Sequence, residues 1–182
     1  DGDTGTNMAF TLNAILEGTQ SQVYPDVDKM LMTVADSALD GARGNSGVIL
    51  AQFFQGLCDG AADIHKMDTA AFSAAIECGA KYAREALAEP KEGTILSVLT
   101  DFSTHLINLI ESGNTDFVSL MENGLEKAEE SLANTMYQLE VLRKAGVVDA
   151  GAQGFVDMLN GIHDFISTGS IKDYIVQNYS KY

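Results

Sequence analysis

The sequence has no tryptophan, two prolines, two cysteines and few basic residues. Cys58 and Cys78 do not form a CxxC pair, so neither a disulfide framework nor a structural zinc site is predicted. Lys and Arg number 11 against 26 Asp and Glu, which gives a formal net charge of −15. Such a chain repels phosphodiester backbones and anionic lipid, because it has too few cations to replace their counterions. The composition therefore excludes nucleic acid as a partner.

Long apolar runs are also missing. No run approaches the ~18 residues that a transmembrane helix needs, and no charged-then-apolar leader begins the chain. We therefore expect a cytoplasmic protein without a transmembrane segment. The 182 residues are 46% hydrophobic and 20% charged. A chain of this length buries roughly 70% of the surface that its unfolded form exposes, so one domain over residues 1–182 is predicted.

Sustained two-residue alternation, the signal of a strand, is absent, and apolar residues recur at helical spacing instead. The longest such stripe comprises Ile95, Val98, Leu99, Phe102, Leu106, Leu109 and Ile110. Shorter stripes lie in residues 8–16, 49–57, 117–125 and 155–166. Segments 28–39 and 68–88, rich in Ala, Leu and Met, are further helix candidates. The pattern predicts an all-α barrel or bundle of seven or eight amphipathic, antiparallel helices.

Glycine is plentiful, and much of it lies in four links that come directly before helical stripes. These links are DGDTGTN (1–7), GARGNSG (41–47), EGT (92–94) and DAGAQG (149–154). Glycine lets the backbone approach a ligand closely, and helix starts carry unpaired N–H groups that favour anions. Helix entry alone also favours Thr, Asn, Ser and Asp, so each single link is compatible with simple capping. Several helix starts at one end of the bundle would form a phosphate cradle.

The first link also carries two carboxylates. Asp1 and Asp3 stand two residues apart, in a turn that we expect Gly2 and Gly5 to keep open. Carboxylate oxygens at this spacing can converge on Mg²⁺, which accepts waters and substrate phosphates as its other ligands. The alternative is a capping turn with solvated acids. An EF-hand is excluded, because Leu12 stands where the bidentate glutamate would be.

Other common catalytic motifs are absent. Residues 44–47 lack the lysine of a phosphate-binding P-loop and do not have the spacing of a GxSxG nucleophile elbow. His65, His105 and His163 show no i, i+4 metal spacing, and none of them neighbours a glycine link. We expect His105 to lie in the core. A Ser-His-Asp hydrolase is therefore disfavoured.

The four links carry a resemblance to a known family. The segments that carry it are DGDTGTNM (1–8), GARGNSGVILAQ (41–52), EGTILSV (92–98) and LRKAGVVDAGAQGF (142–155). In order and spacing they resemble the nucleotide-binding domain of bacterial fatty acid kinases, which is similar to the L subunit of dihydroxyacetone kinases. The resemblance runs from residue 1 to about residue 168. It implies a barrel of amphipathic helices that binds ATP at one end through two Mg²⁺ ions.

The same resemblance implies roles for individual residues. Asp1 and Asp3 match the metal-binding aspartates. The positions that match the nucleotide site are Thr4, Thr6, Asn7, Gly44, Asn45, Ser46, Gly47, Gly93, Thr94, Asp149 and Gly151. Arg143 matches a catalytic arginine that contacts the transferring phosphoryl group, where a guanidinium can stabilise charge on the equatorial oxygens. The alternative for Arg143 is a solvated charge beside a helix end.

The activity implied by the resemblance is a phosphoryl transfer. The domain would pass the γ-phosphoryl group of ATP to the carboxylate of a fatty acid, held by a fatty-acid-binding protein, and leave ADP and an acyl phosphate. Such a carboxylate is already ionised near neutral pH, so the reaction needs alignment and charge neutralisation rather than a general base. The family also has an upstream helix and further domains, and we expect the other domains of the same kinase as partners.

Two alternatives belong to other functional classes. The chain could be the subunit of a kinase for dihydroxyacetone or a related small hydroxy-ketone, in which case the acceptor hydroxyl would need a base. It could also be a non-catalytic domain in which nucleotide binding controls association with a partner. A homodimer is compatible with the sequence in each case.

Overall fold

The computed structural model describes residues 2–20 and 22–169, and within them it contains eight α-helices and no strand. The helices are α1 (Thr4–Gln20), α2 (Val27–Gly41), α3 (Gly44–Gly60), α4 (Thr69–Glu85), α5 (Ile95–Glu111), α6 (Phe117–Gln138), α7 (Glu140–Ala145) and α8 (Ala150–Thr168). The all-α prediction is confirmed. The two Ala-rich segments predicted as helices correspond to α2 and α4.

Seven of these helices form a closed ring, and the short α7 packs against α6 beside it. Each helix from α1 to α6 contacts the next one along the chain, α6 contacts α8, and α8 contacts α1. Consecutive helices joined by short links run antiparallel. Because the ring holds an odd number of helices, its first and last members, α1 and α8, are parallel neighbours. The starts of α1, α3, α5 and α8 therefore lie at one end.

Glycines inside the helices allow this close packing. A Cβ atom added at Gly56 of α3 would lie 2.6 Å from the carbonyl oxygen of Cys78 in α4. A Cβ atom added at Gly154 of α8 would lie 2.9 Å from the sulfur of Met8 in α1. Glycine lowers helix propensity by about 1 kcal/mol relative to alanine, so its position here is explained by backbone approach. The contact of Gly154 with Met8 lies where the ring closes.

The interior of the ring is aromatic and aliphatic. Phe53, Phe102 and Phe155, from α3, α5 and α8, are fully buried. The ring of Phe155 packs edge-on against the other two, with centroid distances of 5.5 Å to Phe53 and 5.9 Å to Phe102. The predicted apolar stripes thus face the interior, where burial of apolar surface stabilises the fold. His105, predicted in the core, is half-buried on α5.

The structure also bears on the two cysteines and on the expected lack of a transmembrane segment. Cys58 and Cys78 are free, half-buried thiols. Burial, with a smaller contribution from the nearby Asp59 carboxylate, raises the pKa of both thiols and makes them less reactive. Across the part of the chain that the structure describes, no helix combines the length and apolar character needed to cross a bilayer.

Candidate functional site

A cleft of about 670 Å³ opens at the end of the ring where four helices begin. It is lined by the starts of α1, α3, α5 and α8 and by the link between α4 and α5. The predicted site residues that line it are Asp3, Thr4, Asn7, Gly44, Asn45, Ser46, Thr94, Asp149 and Gly151. Residues separated by more than a hundred positions in the sequence therefore face the same space.

At the start of α1, Asp3 and Asn7 are joined twice. The backbone N–H of Asn7 donates to the carbonyl oxygen of Asp3 at 2.8 Å, and its side-chain Nδ2 donates to Asp3 Oδ2 at 3.0 Å. These bonds hold the exposed Asp3 carboxylate at the mouth of the cleft. The expectation that Gly5 keeps a turn open is wrong, because these contacts begin the helix at Thr4 and place Gly5 in its first turn. Asp1 lies outside the described residues.

The start of α3 lies directly against the start of α1. Gly44, the first residue of α3, has a φ of 57°, a conformation that L side chains rarely adopt. A Cβ atom at this position would lie 2.6 Å from Nδ2 of Asn7. The hydroxyl of Ser46 donates to the carbonyl oxygen of Thr4 at 3.4 Å. The backbone conformation therefore favours glycine at residue 44, and a side chain there would displace the Asn7 amide.

The starts of α5 and α8 share one carboxylate. Asp149 Oδ2 accepts a hydrogen bond from the backbone N–H of Ala152 at 2.8 Å and another from that of Ile95 at 3.1 Å. The backbone N–H of Asp149 donates to Thr135 Oγ1 at 3.0 Å. A Cβ atom at Gly151 would lie 3.2 Å from Asp149 Oδ2, so the glycine leaves room for the carboxylate. Asp149 thus caps two helices at once.

Four of the predicted residues do not line the cleft. Thr6 is exposed on α1, and Gly47 is buried in α3. Gly93 is buried with a φ of 78°, and a Cβ atom there would lie 2.8 Å from Cβ of Gln138. Arg143 is exposed on α7. The structure therefore gives Gly93 a packing role, and it leaves the catalytic role of Arg143 a prediction.

The sequence predicts only residues 92–94 of the link between α4 and α5 as part of the site. The link residues at the cleft that it does not predict are Leu87, Ala88, Glu89 and Lys91. Lys91 is the only basic residue among the described residues that line the cleft, whereas Asp3, Glu89 and Asp149 are acidic. Pro90 marks this segment as a loop in the sequence, and Lys91 stands two residues before Gly93. Neither feature by itself indicates a ligand, because the position of the loop depends on how α4 and α5 pack.

Glu92 fastens this link to both neighbouring helices. One carboxylate oxygen binds the Arg84 guanidinium at the end of α4, and the other accepts a hydrogen bond from Ser97 Oγ at 2.6 Å. Ser97 Oγ in turn accepts a hydrogen bond from the backbone N–H of Gly93 at 3.0 Å. The bonds from Arg84 and Ser97 lower the pKa of Glu92. The ionised carboxylate therefore holds the link in place.

A second group of potential metal ligands lies away from the cleft. His65 Nδ1 is 3.7 Å from Asp26 Oδ1 and 3.8 Å from Asp28 Oδ1, at the start of α2. The other carboxylate oxygen of Asp26 binds Lys29 Nζ at 2.7 Å. The helix dipole favours acidic residues at a helix start. The positions of Asp26 and Asp28 are therefore explained without a bound metal ion.

Residues 1–164 match the family described as the DAK2 domain. The chain belongs to this family. Membership makes it a dihydroxyacetone kinase-like helical domain, of a family that is associated with kinases. It also confirms the coarser part of the resemblance noted in the sequence. The finer assignment to fatty acid kinases does not follow from the DAK2 match.

The DAK2 domain also has staphylococcal relatives. Uncharacterized proteins of Staphylococcus epidermidis (strain ATCC 12228) and Staphylococcus haemolyticus are each 37% identical to it over 161 residues. An uncharacterized protein of Staphylococcus aureus (strain USA300) is 38% identical over 162 residues. These alignments cover 88% of this chain and 29% of each relative. The chain thus spans less than a third of the length of these relatives.

Proposed function

We propose that this DAK2 domain binds ATP with Mg²⁺ in the cleft and transfers the γ-phosphoryl group to a fatty acid carboxylate. The acid would be presented by a fatty-acid-binding protein, and the products would be ADP and an acyl phosphate. The observation that carries the proposal is the meeting of four helix starts and the Asp3 carboxylate in one cleft. Other domains of the same kinase would complete the catalytic assembly.

The four helix starts support the polyphosphate part of the proposal. Backbone N–H groups in the first turn of a helix lack partners within the helix, and the helix dipole adds positive potential there. At the start of α3 these groups are flanked by Gly44 and by the Ser46 hydroxyl, both of which line the cleft. A phosphate group is the kind of anion that such helix starts bind.

The donor set at the start of α1 fits magnesium. Asp3 Oδ2 is hydrogen-bonded to Asn7, which orients the carboxylate and leaves Oδ1 as a hard oxygen ligand. Asp3, with Asp1 as the second aspartate, would hold two Mg²⁺ ions. When bound, these ions would neutralise charge between the acidic chain and the phosphates. Asn7 keeps the Asp3 carboxylate turned toward the cleft.

The choice of a carboxylate acceptor rests on the motifs. GARGNSGVIL (41–50) and GVVDAGAQG (146–154) resemble fatty acid kinases more closely than dihydroxyacetone kinases. A carboxylate acceptor needs no general base, whereas a hydroxyl acceptor does. No histidine lines the cleft in the described part of the chain, so a base for a hydroxyl acceptor would have to be one of the carboxylates there or come from a partner.

Calorimetric titration with ATP, in Mg²⁺ and then in excess EDTA, tests the nucleotide site. We expect the unmodified chain to bind only with Mg²⁺. Asp3→Asn should abolish this binding without changing the circular dichroism spectrum, because Asp3 precedes the helix. Asp36→Asn, an exposed position on α2 outside the cleft, is the matched control and should bind as the unmodified chain does. Unchanged binding by Asp3→Asn would remove the metal-ligand assignment.

The acceptor is tested with ATP labelled on the γ-phosphate. We expect label to move to a fatty acid held by its binding protein, and hydroxylamine should trap the product as a hydroxamate. Transfer to dihydroxyacetone instead would identify the small-ketone kinase. Nucleotide binding with no transfer to either acceptor, in the presence of the other domains, would identify a nucleotide-sensing domain.

A further inference from the structure

We propose that Lys91 contacts the phosphate groups of the bound nucleotide and that the Arg84–Glu92 ion pair holds it in position to do so. The inference rests on the proposed nucleotide site and adds a specificity residue to it. Lys91 lines the cleft together with Asp3, Glu89 and Asp149. It is the only cation among the described residues that face this space.

The backbone of Lys91 is fixed although its side chain is exposed. Its carbonyl oxygen accepts a hydrogen bond from Thr94 Oγ1 at 2.7 Å. The next residue, Glu92, is bound to Arg84 on one side and to Ser97 on the other. In residues 2–20 and 22–169, no carboxylate forms an ion pair with the Lys91 ammonium. The backbone of Lys91 is therefore held at the cleft, and its ammonium is available to a ligand.

The negative charge of the cleft is the reason why a lysine there would favour phosphate binding. Three carboxylates line the space, and the chain as a whole carries a net charge of −15. A polyphosphate that enters such a cleft is repelled unless cations offset the carboxylates. Metal ions at Asp3 would offset the carboxylates near the start of α1. Lys91 would offset them from the link between α4 and α5. An ammonium group offers three donors to phosphate oxygens, and such charge-assisted bonds are strong.

The first test compares Lys91→Met with Lys29→Met. Methionine keeps most of the length of the side chain and removes the charge. Lys29 is the matched control, because it lies at the start of α2, outside the cleft, in an exposed ion pair with Asp26. Calorimetry at fixed Mg²⁺ would give the Kd of ATP, ADP, AMP and adenosine for both variants. Thermal unfolding would show that both are folded.

The expected result depends on the number of phosphates. Lys91→Met should weaken ATP binding about tenfold, as expected for loss of one charge-assisted contact, and leave adenosine binding unchanged. ADP and AMP should show smaller losses, and Lys29→Met should bind all four ligands as the unmodified chain does. Lys91→Arg should retain ATP affinity within about twofold, because it keeps the charge.

Arg84→Met tests the positioning part of the inference. We expect it to weaken ATP binding in the unmodified chain and to add little in the Lys91→Met background, because both changes act through the same ammonium. Independent, additive losses would overturn the positioning role. An equal loss for all four ligands, an unchanged ATP affinity, or the same loss in Lys29→Met would overturn the Lys91 contact.

These outcomes separate the inference from the function on which it rests. If the folded, unmodified chain binds no nucleotide with Mg²⁺, the proposed function and the Lys91 contact both fail. If it binds ATP with Mg²⁺ while Lys91→Met binds ATP equally well, only the Lys91 contact fails. Both comparisons use the same titrations.

Discussion

The Asp149 carboxylate accepts a hydrogen bond from the backbone N–H of Ile95, although 54 residues separate them in the chain. The same oxygen, Oδ2, accepts another from Ala152 in its own helix. One side chain therefore fixes the starts of α5 and α8 relative to each other. These two helix starts form one wall of the cleft, so the shape of the site depends on this carboxylate.

Removing the Asp149 carboxylate should cost more than removing an ordinary helix cap. We expect Asp149→Ala to lower the free energy of unfolding by about 2 kcal/mol, because two helix starts lose their acceptor. Asp68, whose side chain accepts from the N–H of Ala71 and from no other helix start among the described residues, is the matched control. Asp68→Ala should cost about 1 kcal/mol. Urea unfolding of both variants measures the difference, and equal costs would contradict the double cap.

Gly44 should be more sensitive to substitution than another glycine of similar backbone conformation. We expect Gly44→Ala to cost about 1–2 kcal/mol for the left-handed backbone and a further ~1 kcal/mol for the contact with Asn7. Gly146 has a φ of 67°, against 57° for Gly44, and apart from its chain neighbours no atom of the described residues lies within 4 Å of a Cβ added there. Gly146→Ala should therefore show the backbone cost alone.

Chemical unfolding and nucleotide titration together distinguish the two glycine variants. Gly44→Ala should also weaken Mg²⁺-dependent ATP binding, because moving Asn7 disturbs the carboxylate of Asp3. Gly146→Ala should leave that binding unchanged. If both variants lose the same stability and both bind ATP normally, the contact between residue 44 and Asn7 has no energetic importance.

The helices could be predicted from the sequence because their signals are local. The stripe from Ile95 to Ile110 has the spacing of one helix face, and residues Ile95–Glu111 form α5. The closure of the ring could not be predicted in this way. It depends on the packing of α1 against α8, where Gly154 faces Met8 146 positions away (154 minus 8), and no periodicity indicates such a pairing.

The residues of the candidate site could likewise be predicted where their signals are local, and not where they depend on packing between helices. Gly44 and Asp149 were found because glycine and capping residues before a helical stripe are visible in the sequence. Lys91 was missed because its link becomes part of the cleft only when α4 and α5 pack side by side. Gly5 was assigned to an open turn because glycine suits turns, but the bonds between Asp3 and Asn7 continue the helix through it.

The Arg84–Glu92 pair should make stability depend on pH in the acidic range. The pKa of Glu92 is lowered from 4.5 in the folded chain by its bonds to Arg84 and Ser97. Its stabilisation is therefore fully present above its ordinary pKa and is lost as the pH falls through the lowered value. We expect Glu92→Gln to have a lower Tm than the unmodified chain at about pH 7, and the difference should shrink toward about pH 3.

Thermal unfolding across this pH range checks the prediction. Glu130→Gln is the control, because Glu130 forms an exposed pair with Lys127 within α6 and does not connect two helices. It should change the Tm less than Glu92→Gln does near neutral pH. A Tm difference for Glu92→Gln that stays constant with pH would show that its charge is not what stabilises the link.

Arg143 gives a kinetic prediction. We expect Arg143→Ala to lower kcat for phosphoryl transfer at least tenfold with little change in ATP affinity, as for a group that acts mainly in the transition state. Lys144→Ala is the control, since Lys144 lies beside it on α7 in an exposed pair with Glu140. Steady-state kinetics in the presence of the fatty-acid-binding protein measure kcat, and a separate ATP titration measures the affinity. Equal losses in kcat and affinity would make Arg143 a binding residue only.

The parallel pairing of α1 and α8 has a consequence for how the domain assembles. The cleft takes residues from both helices, so it cannot form from either half of the chain alone. A folding intermediate that still lacks α8 would have the start of α1 and no opposite wall. A ligand that contacts both helices stabilises only the closed ring. Nucleotide binding would therefore stabilise the packing of α1 against α8.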